Sequence, residues 1–113
     1  GTAIGTISRN GSTNAVLYNT TSDYRLKENI VDAPSSLAKI DEIKVRSFDW
    51  KESGKHTEFG VIAQELEKIL PHLVDENEGK KSVNYSGLIA YLIQSNKELT
   101  QRIEKLENKY GDR

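Results

Sequence analysis

The stretch from Leu88 to Tyr110 contains neither glycine nor proline, the two residues that most readily interrupt a helix. Within it, side chains recur at alternating steps of three and four residues: Ile89, Leu92, Asn96, Leu99, Ile103, Leu106 and Tyr110. That spacing is the a/d heptad pattern, which places all of these side chains on one stripe of a helix. The sequence therefore predicts one long helix over residues 87–110, and Gly111 predicts its end.

The predicted stripe requires a partner, because the rest of the helix is too polar to be buried. Either the helix folds back onto its own domain or it associates with further copies, and the heptad pattern favours the second. Isoleucine at a positions with leucine at d positions favours two strands when taken alone. Asn96 falls at an a position, where asparagine usually fixes register and oligomeric state at some cost in stability.

Length and composition limit the class of protein. A chain of 113 residues forms one domain at most, with a modest core. Its 35% hydrophobic and 29% charged content is polar for a compact monomer, so we expect an elongated shape or a core shared between chains. The net charge is −1 and basic residues are interleaved with acidic ones, so neither nucleic acid nor a membrane is an expected partner.

Several kinds of site lack their usual residues in this sequence. Disulfides and thiolate metal sites are excluded because the chain has no cysteine. His56 and His72 have no companions at metal-binding spacing, so we expect no metal, no cofactor and no histidine-based triad. The sequence shows no signal peptide and no apolar run of membrane length. Because it has no methionine and opens with Gly1-Thr2, we expect a fragment of a longer protein, or a chain that has lost a tag.

The distribution of charge divides the chain at Ser22, since Arg9 is the only charged residue before it. Residues 1–21 are β-prone, and the Asn10-Gly11 pair is a hairpin signal. A lone hairpin is marginal in water, so we interpret residues 1–21 as the end of an upstream β-rich fibre or stalk, with a disordered linker as the alternative. Residues 22–86 are predicted to form a small α+β domain with short hairpins and helices, followed by the coiled-coil helix 87–110.

A short helix and a hairpin are predicted after Asp32. Proline is favoured in a first helical turn, so Pro34 marks the start of the helix. The apolar residues that form its stripe are Leu37, Ile40 and Ile43. Residues 45–50 and 58–61 predict the two strands of a hairpin, and we expect Trp50 to belong to the core rather than to stack on a ligand.

A second helix is predicted over residues 63–70, ended by Pro71. The side chains expected to point inward from it are Leu66, Ile69 and Leu70. A short strand is predicted to end at Val74, and another to run over residues 82–85 after an acidic turn.

Ser22 lies five residues before Lys27, so a hydroxyl nucleophile precedes an amine that could act as its base. A serine–lysine pair is a known variant of the activated serine. Lys27 can accept a proton only as a neutral amine, which burial or a nearby cation such as Arg25 would favour. The alternative is a structural role, in which Ser22 or Asp23 only caps a helical turn.

Four ordered motifs extend from this pair to the long helix. The run from Ser22 to Ile30 reads Ser-Asp-x-Arg-Leu-Lys-x-Asn-Ile, and the run from Gly60 to Leu66 contains Gly-x-x-Ala-Gln-Glu. Residues 71–74 read Pro-x-Leu-Val, and residues 83–88 read Val-x-Tyr-x-x-Leu. In this order, the motifs resemble those of the C-terminal intramolecular chaperone domains of phage tail spikes and tail fibres, the self-cleaving endosialidase-type family.

The resemblance implies a reaction and an assembly. Ser22 would be the nucleophile and Lys27 the general base of a single-turnover serine peptidase that acts in cis and cuts the Thr21–Ser22 bond. Possible supporting residues of the site would be Asp23, Arg25, Asn29, Gln64 and Glu65. The final helices would form a parallel coiled coil of three strands, rather than the two that the pattern alone favours. Its seam would consist of Ile89, Leu92, Asn96, Leu99, Ile103 and Leu106.

In this interpretation, the chain is an intramolecular chaperone that trimerises an upstream fibre or spike, guides its folding and is then released by autoproteolysis. It would act without a cofactor, in a virion tail precursor assembled in the host bacterial cytoplasm, and the released module would be absent from the mature virion. Two alternatives stay open. One is a trimerisation or binding module that does not cleave. The other is the eukaryotic branch of the same family, membrane-tethered transcription factors that cleave themselves.

Overall fold

The computed structural model describes residues 5–9 and 16–111, with side chains from Thr20 onward. The chain divides into two compact units, residues 1–32 and residues 33–113. The predicted boundaries after residues 21 and 86 stay predictions.

The first unit begins with a two-stranded hairpin. Strand β1 (Gly5–Arg9) pairs antiparallel with β2 (Val16–Thr20). The Asn10-Gly11 pair, which was expected to form the turn, lies outside the described residues. A single 3-10 turn, Tyr24–Leu26, follows the hairpin within the predicted reactive segment.

The second unit mixes helices and strands. In chain order its elements are α1 (Leu37–Glu42), β3 (Arg46–Asp49), β4 (His56–Gly60), α2 (Ala63–Glu67), β5 (Val74–Asn77), β6 (Lys80–Val83) and α3 (Leu88–Tyr110). Strands β3 and β4 form one antiparallel hairpin, and β5 and β6 form another. The mixed helix-and-strand class and the long final helix are therefore confirmed, whereas the trimeric coiled coil stays a prediction.

Helix α1 begins later than the sequence predicts. Its N-cap is Ser36, whose buried hydroxyl lies 2.8 Å from both Ser95 Oγ and the carbonyl oxygen of Tyr91. These bonds hold Ser36 outside helical geometry, at φ −120° and ψ −10°. Pro34 therefore precedes the helix instead of occupying its first turn. The predicted stripe is half-buried at all three positions, Leu37, Ile40 and Ile43.

Trp50 lies at the surface, and the prediction of a core tryptophan is wrong. It directly follows β3 and is 56% exposed. Its indole N–H donates to Thr57 Oγ1 at 2.9 Å, and its ring meets Phe48 edge to face with centroids 5.5 Å apart. A hairpin of two strands cannot by itself enclose so large a ring.

The later elements differ from the prediction at their ends. Helix α2 stops at Glu67, and a 3-10 turn at Pro71–Leu73 leads into β5. Val74 therefore begins this strand rather than ending one. Strand β6 stops at Val83, because Tyr85 belongs to the 3-10 turn that leads into α3.

Three leucines form the buried core of the second unit. Leu66 and Leu70 are each 1% exposed, and Leu73 is 5% exposed. The half-buried apolar side chains that pack around them are Ile43, Val61, Ile69, Val74, Val83, Leu88 and Tyr91. The side chains predicted to point inward from the second helix therefore do belong to the core or its edge.

Helix α3 starts directly against this core. Gly87 permits the close approach, since a Cβ at this position would collide with Cδ2 of Leu73. Asn84 Oδ1 accepts a hydrogen bond from the Gly87 N–H at 3.2 Å, which satisfies a donor at the helix start. The Tyr91 hydroxyl and His72 Nε2, 2.8 Å apart, add a contact one turn later.

Truncation of a core leucine should destabilise the second unit strongly. In Leu66→Ala we expect the free energy of unfolding to fall by about 2–5 kcal/mol. The substitution removes buried apolar groups and leaves a cavity that the surrounding side chains fill only partly. Chemical denaturation followed by circular dichroism measures this change. The control, Val45→Ala, changes a side chain that is 63% exposed and should cost less than about 0.5 kcal/mol. Equal costs for the two substitutions would contradict the assigned core.

Candidate functional site

The predicted reactive pair flanks a tight turn of the first unit. Asp23 caps the 3-10 turn Tyr24–Leu26, accepting at Oδ1 a hydrogen bond from the backbone N–H of Arg25 at 2.9 Å. The N–H of Lys27 donates to the carbonyl oxygen of Tyr24 at 3.1 Å and closes the turn. Because the chain reverses here, residue 27 returns toward Ser22. The alternative role of Asp23 as a cap is therefore present in the structure.

Ser22 and Lys27 are in direct contact. Nζ of Lys27 donates a hydrogen bond to Oγ of Ser22 over 2.6 Å. A neutral amine at the same position would instead accept the hydroxyl proton, as a general base must. Both residues are exposed to solvent. The structure thus brings the two predicted residues together, and their catalytic roles stay predictions.

Asp23 and Arg25 form an ion pair beside them. Nε of Arg25 lies 3.1 Å from both carboxylate oxygens of Asp23, and Nη2 lies 2.6 Å from Oδ2. The side-chain hydrogen bond from Arg25, aided by its backbone N–H, lowers the pKa of Asp23. The same pairing raises the pKa of Arg25. The described hydrogen bonds of the Asp23 carboxylate therefore go to Arg25, and its role as a supporting residue of the site stays a prediction.

The other predicted supporting residues are divided between the two units. Asn29 belongs to the first unit and lies in the left-handed backbone region, at φ +54°. Gln64 and Glu65 belong to α2 in the second unit. Arg46 binds Glu65 through two bonds of 3.0 and 2.7 Å, and these bonds lower the pKa of Glu65. A role for Gln64 and Glu65 around Lys27 stays a prediction.

Helix α3 directs one stripe toward its own unit and leaves a second one open. The inward stripe, which contacts α1 or the leucine core, consists of Leu88, Tyr91, Ser95 and Glu98. The predicted seam residues, all of them exposed, are Ile89, Leu92, Asn96, Leu99, Ile103 and Leu106. Ile103, for example, is 54% exposed. Folding back onto the same unit and association with further copies are therefore compatible, because folding back uses a different stripe of α3 from the predicted seam. Association with further copies stays a prediction.

The hairpin of β3 and β4 carries a polar cluster that sequence reasoning missed. Nδ1 of His56 lies 2.6 Å from Asp49 Oδ1, and its Nε2 lies 3.0 Å from Ser47 Oγ. The sequence excluded a histidine-based triad from local spacing, whereas antiparallel pairing places Asp49 opposite His56. The signal was the alternation of Ser47 and Asp49 on one strand face. All three residues are exposed to competing water, so the cluster fits a cross-strand stabilising role better than catalysis.

Residues 5–9 and 16–111 contain neither a candidate metal site nor a candidate membrane span. Over these ranges, no group of three or more His, Cys, Asp or Glu side chains could hold a metal ion. The helices within the same ranges are all too short or too polar to cross a bilayer.

Comparison with known proteins gives one family match and two curated relatives. Residues 22–75 match a peptidase family model described as the chaperone of endosialidase. Two curated relatives are the long tail fiber proteins Gp37 of Enterobacteria phages K3 and T2, each 33% identical to this chain over 97 residues. The alignments cover 78% of this chain but only 8% and 7% of the two fibre proteins, so the chain spans less than a tenth of their length. No solved structure matches the chain.

The ion pair beside Ser22 should be visible in the titration of Asp23. In Arg25→Gln the side-chain bonds that lower the pKa of Asp23 are lost, so this pKa should rise toward the usual aspartate value. A lowered folded-state pKa contributes stability above the usual value, and that contribution is lost as pH falls through the lowered value. The wild-type turn should therefore persist to lower pH than the turn of Arg25→Gln.

NMR titration of the Asp23 carboxyl carbon measures this shift. As a control, Arg46→Gln should raise the pKa of Glu65 and leave Asp23 unchanged, because Arg46 binds Glu65 in the other unit. An identical Asp23 titration in wild type and Arg25→Gln would show that the ion pair does not control this carboxylate.

Proposed function

We propose that the chain is the chaperone module of a phage tail fibre, because residues 22–75 match the family model described as the chaperone of endosialidase. It trimerises through α3, aligns the upstream fibre segments of three chains, and is then cut off beside Ser22. The observation that carries the release step is the contact of 2.6 Å between Lys27 Nζ and Ser22 Oγ. Both curated relatives are phage fibre proteins, which favours this function over that of a eukaryotic transcription factor.

Self-association is supported by the exposed seam of α3. Burial of a large apolar side chain contributes roughly 1.5–3 kcal/mol, so a seam left open in one chain is a strong driving force for assembly. Asn96 supplies a polar layer that favours one register. The number of strands, three, follows the family resemblance.

The charges beside the seam support a parallel arrangement. With Ile89 at position a, Arg102 and Lys109 fall at g positions and Glu107 falls at an e position. In a parallel, in-register coil each g residue faces the e residue five positions later on the neighbour, which pairs Arg102 with Glu107. An antiparallel coil would instead place the basic g residues of the two helices side by side. Charge complementarity at this one pair therefore favours the parallel form, which would bring the upstream segments out at the same end.

A parallel trimer assists folding because of what it does to the upstream chain. Fibre segments that intertwine make contacts between residues far apart in sequence or on different chains, and such contacts form slowly. Holding three segments at one end raises their effective concentration. The module therefore lowers the barrier to the first correctly registered layer of the fibre.

Release follows the chemistry of an activated serine. Lys27, as a neutral amine, takes the proton of the Ser22 hydroxyl while Oγ forms a bond to the carbonyl carbon of Thr21. The C–N bond between residues 21 and 22 then breaks, and the proton passes to the departing amine. Water hydrolyses the resulting ester, which regenerates the hydroxyl and leaves a module beginning at Ser22.

The exposure of Ser22 and Lys27 fits a reaction that begins only after assembly. Lys27 is open to water and donates a hydrogen bond to Ser22. Burial of the amine would favour its neutral form and so create the base. Cleavage after assembly removes the route back to the unfolded fibre, which is then kinetically trapped.

A second candidate function is a module that trimerises and stays attached. It is favoured by the bonds of Asp23, which explain the turn as a capped structural element without any reaction. The relatives are named as fibre proteins, and their names describe no cleavage.

Intact mass distinguishes the two functions. We expect the chain with a longer upstream segment to yield a fragment that begins at Ser22, and neither Ser22→Ala nor Lys27→Ala to yield it. The rate should fall by at least about 100-fold in each variant, since nucleophile and base act as a unit. The matched control is Ser47→Ala, which removes the hydroxyl beside His56 and should leave cleavage unchanged. Intact wild type after assembly would leave only the non-cleaving module.

Oligomeric state tests the seam separately. Light scattering coupled to size exclusion should give three copies for the wild type. In Ile103→Lys, assembly should weaken by at least about 100-fold, because each copy would bury a charge at one layer of the seam. Asn108→Lys adds the same charge at an f position, outside the seam, and should stay trimeric. A trimer in Ile103→Lys would remove the seam from the interface.

A further inference from the structure

An apolar groove lies between α1 and the first half of α3. It has a volume of about 730 Å³ and opens to solvent. Among its lining residues are Ile40 of α1 and Ile89, Leu92 and Ile93 of α3. The packing of α1 on α3 creates this groove, and the predicted seam forms only one of its walls.

Ile93 is the feature of this groove that the heptad seam does not explain. It falls at an e position, where coiled coils usually carry charged residues. It is nevertheless apolar and 57% exposed, and the next residues at e positions are Thr100 and Glu107. The open apolar surface is therefore wider in the first half of α3 than the seam requires.

A parallel neighbour would meet this groove with its own Ile93. In such a coil the e position of one helix faces the g position five residues earlier on the next, so Ile93 of a neighbour faces Leu88 and lies between the levels of Leu88 and Ser95. Both g residues belong to the stripe against which α1 and the core pack. The neighbour's side chain thus arrives where α1 and α3 leave the groove open.

The charges farther along the helix fit the same register. The pairing in which Ile93 faces Leu88 of the neighbour also makes Glu107 face Arg102, with the same offset of five residues. One parallel register therefore satisfies an apolar contact near the start of α3 and an ion pair near its end.

We propose that the groove between α1 and α3 is a docking site for Ile93 of a second copy of this chain, so that the interface extends from the coiled coil onto α1. The proposal rests on the self-association proposed above and adds α1 to it. It makes the body of each module contact its neighbour, and a correctly folded α1 becomes a condition for assembly.

The chain has no cysteine, which permits a direct test with single substitutions. Chains carrying Ile40→Cys and differently tagged chains carrying Ile93→Cys are unfolded together, refolded and treated with a short thiol-to-thiol crosslinker. A product that carries both tags can arise only between copies. Each single-cysteine protein is also treated alone, to measure crosslinks between identical sites, and its circular dichroism is compared with wild type.

The matched control pairs Ile40→Cys with Ala90→Cys. Ala90 lies one turn from Ile93 at an exposed b position, on a face directed away from a coiled-coil neighbour. We expect at least about tenfold more doubly tagged product with Ile93→Cys than with Ala90→Cys, since only the first lies at the proposed contact.

The outcomes separate this proposal from the one on which it rests. A trimer that crosslinks through Ile40 and Ile93 supports it. A trimer that gives equal, low yields with Ile93 and Ala90 would overturn the docking of Ile93 and leave the coiled coil intact. A monomeric wild type by light scattering would overturn both self-association and the groove contact.

Discussion

A buried cluster of hydrogen bonds between Ser36 and α3 decides which face of the long helix stays free. The hydroxyls of Ser36 and Ser95 lie 2.8 Å apart, and both residues are buried. Glu98 Oε2 accepts the N–H groups of Ser36 and Leu37, each at 3.1 Å, which satisfies donors at the start of α1. A buried polar group without its partner is costly, so few alternative placements of α1 on α3 are tolerated. The hydroxyl of Ser35, and then these backbone donors, lower the pKa of Glu98, so the carboxylate stays charged in its place.

Part of this arrangement departs from the usual amphipathicity of a surface helix, because the inward stripe of α3 is apolar at Leu88 and Tyr91 and polar at Ser95 and Glu98. A helix in a monomeric domain turns its apolar stripe inward and its polar stripe to water. Here the inward stripe of α3 ends with Ser95 and Glu98, whereas isoleucines and leucines of the seam face solvent. Polar groups can be held inside because α1 supplies matching donors and acceptors. The apolar stripe of the seam is then left exposed, as the proposed self-association requires.

The parts of the fold that follow from local sequence could be predicted, and the parts that depend on distant residues could not. Helix α3 runs over the range without glycine or proline, because a long heptad pattern leaves little room for another structure. The contact of Ser22 with Lys27 depends only on the turn between them. By contrast, the start of α1 depends on Ser95, some 60 residues away, and could not be read from Pro34.

The polar cluster of the β3–β4 hairpin was missed for a related reason. Ser47 and Asp49 meet His56 only through strand pairing, and the register of that pairing shifts between Arg46 and Phe48. Alternation along β3 places Ser47 and Asp49 on one face, but only the pairing register brings His56 to them. Trp50 misled the prediction because hydrophobicity alone does not say whether a hairpin has anything to pack against.

The two proposed activities, cleavage and self-association, depend on structures of very different size. Cleavage needs one short turn, whereas self-association needs several chains. The reactive pair is complete within the six residues from Ser22 to Lys27, so it can form as soon as the turn forms. The predicted seam of α3, in contrast, is exposed in a single chain, and its proposed function requires several copies to meet. In the first unit the lysine is exposed, so whatever buries it must come from contacts that the unit does not make by itself. In the proposed reaction, burial of Lys27 on assembly would therefore link cleavage to assembly through desolvation of the amine.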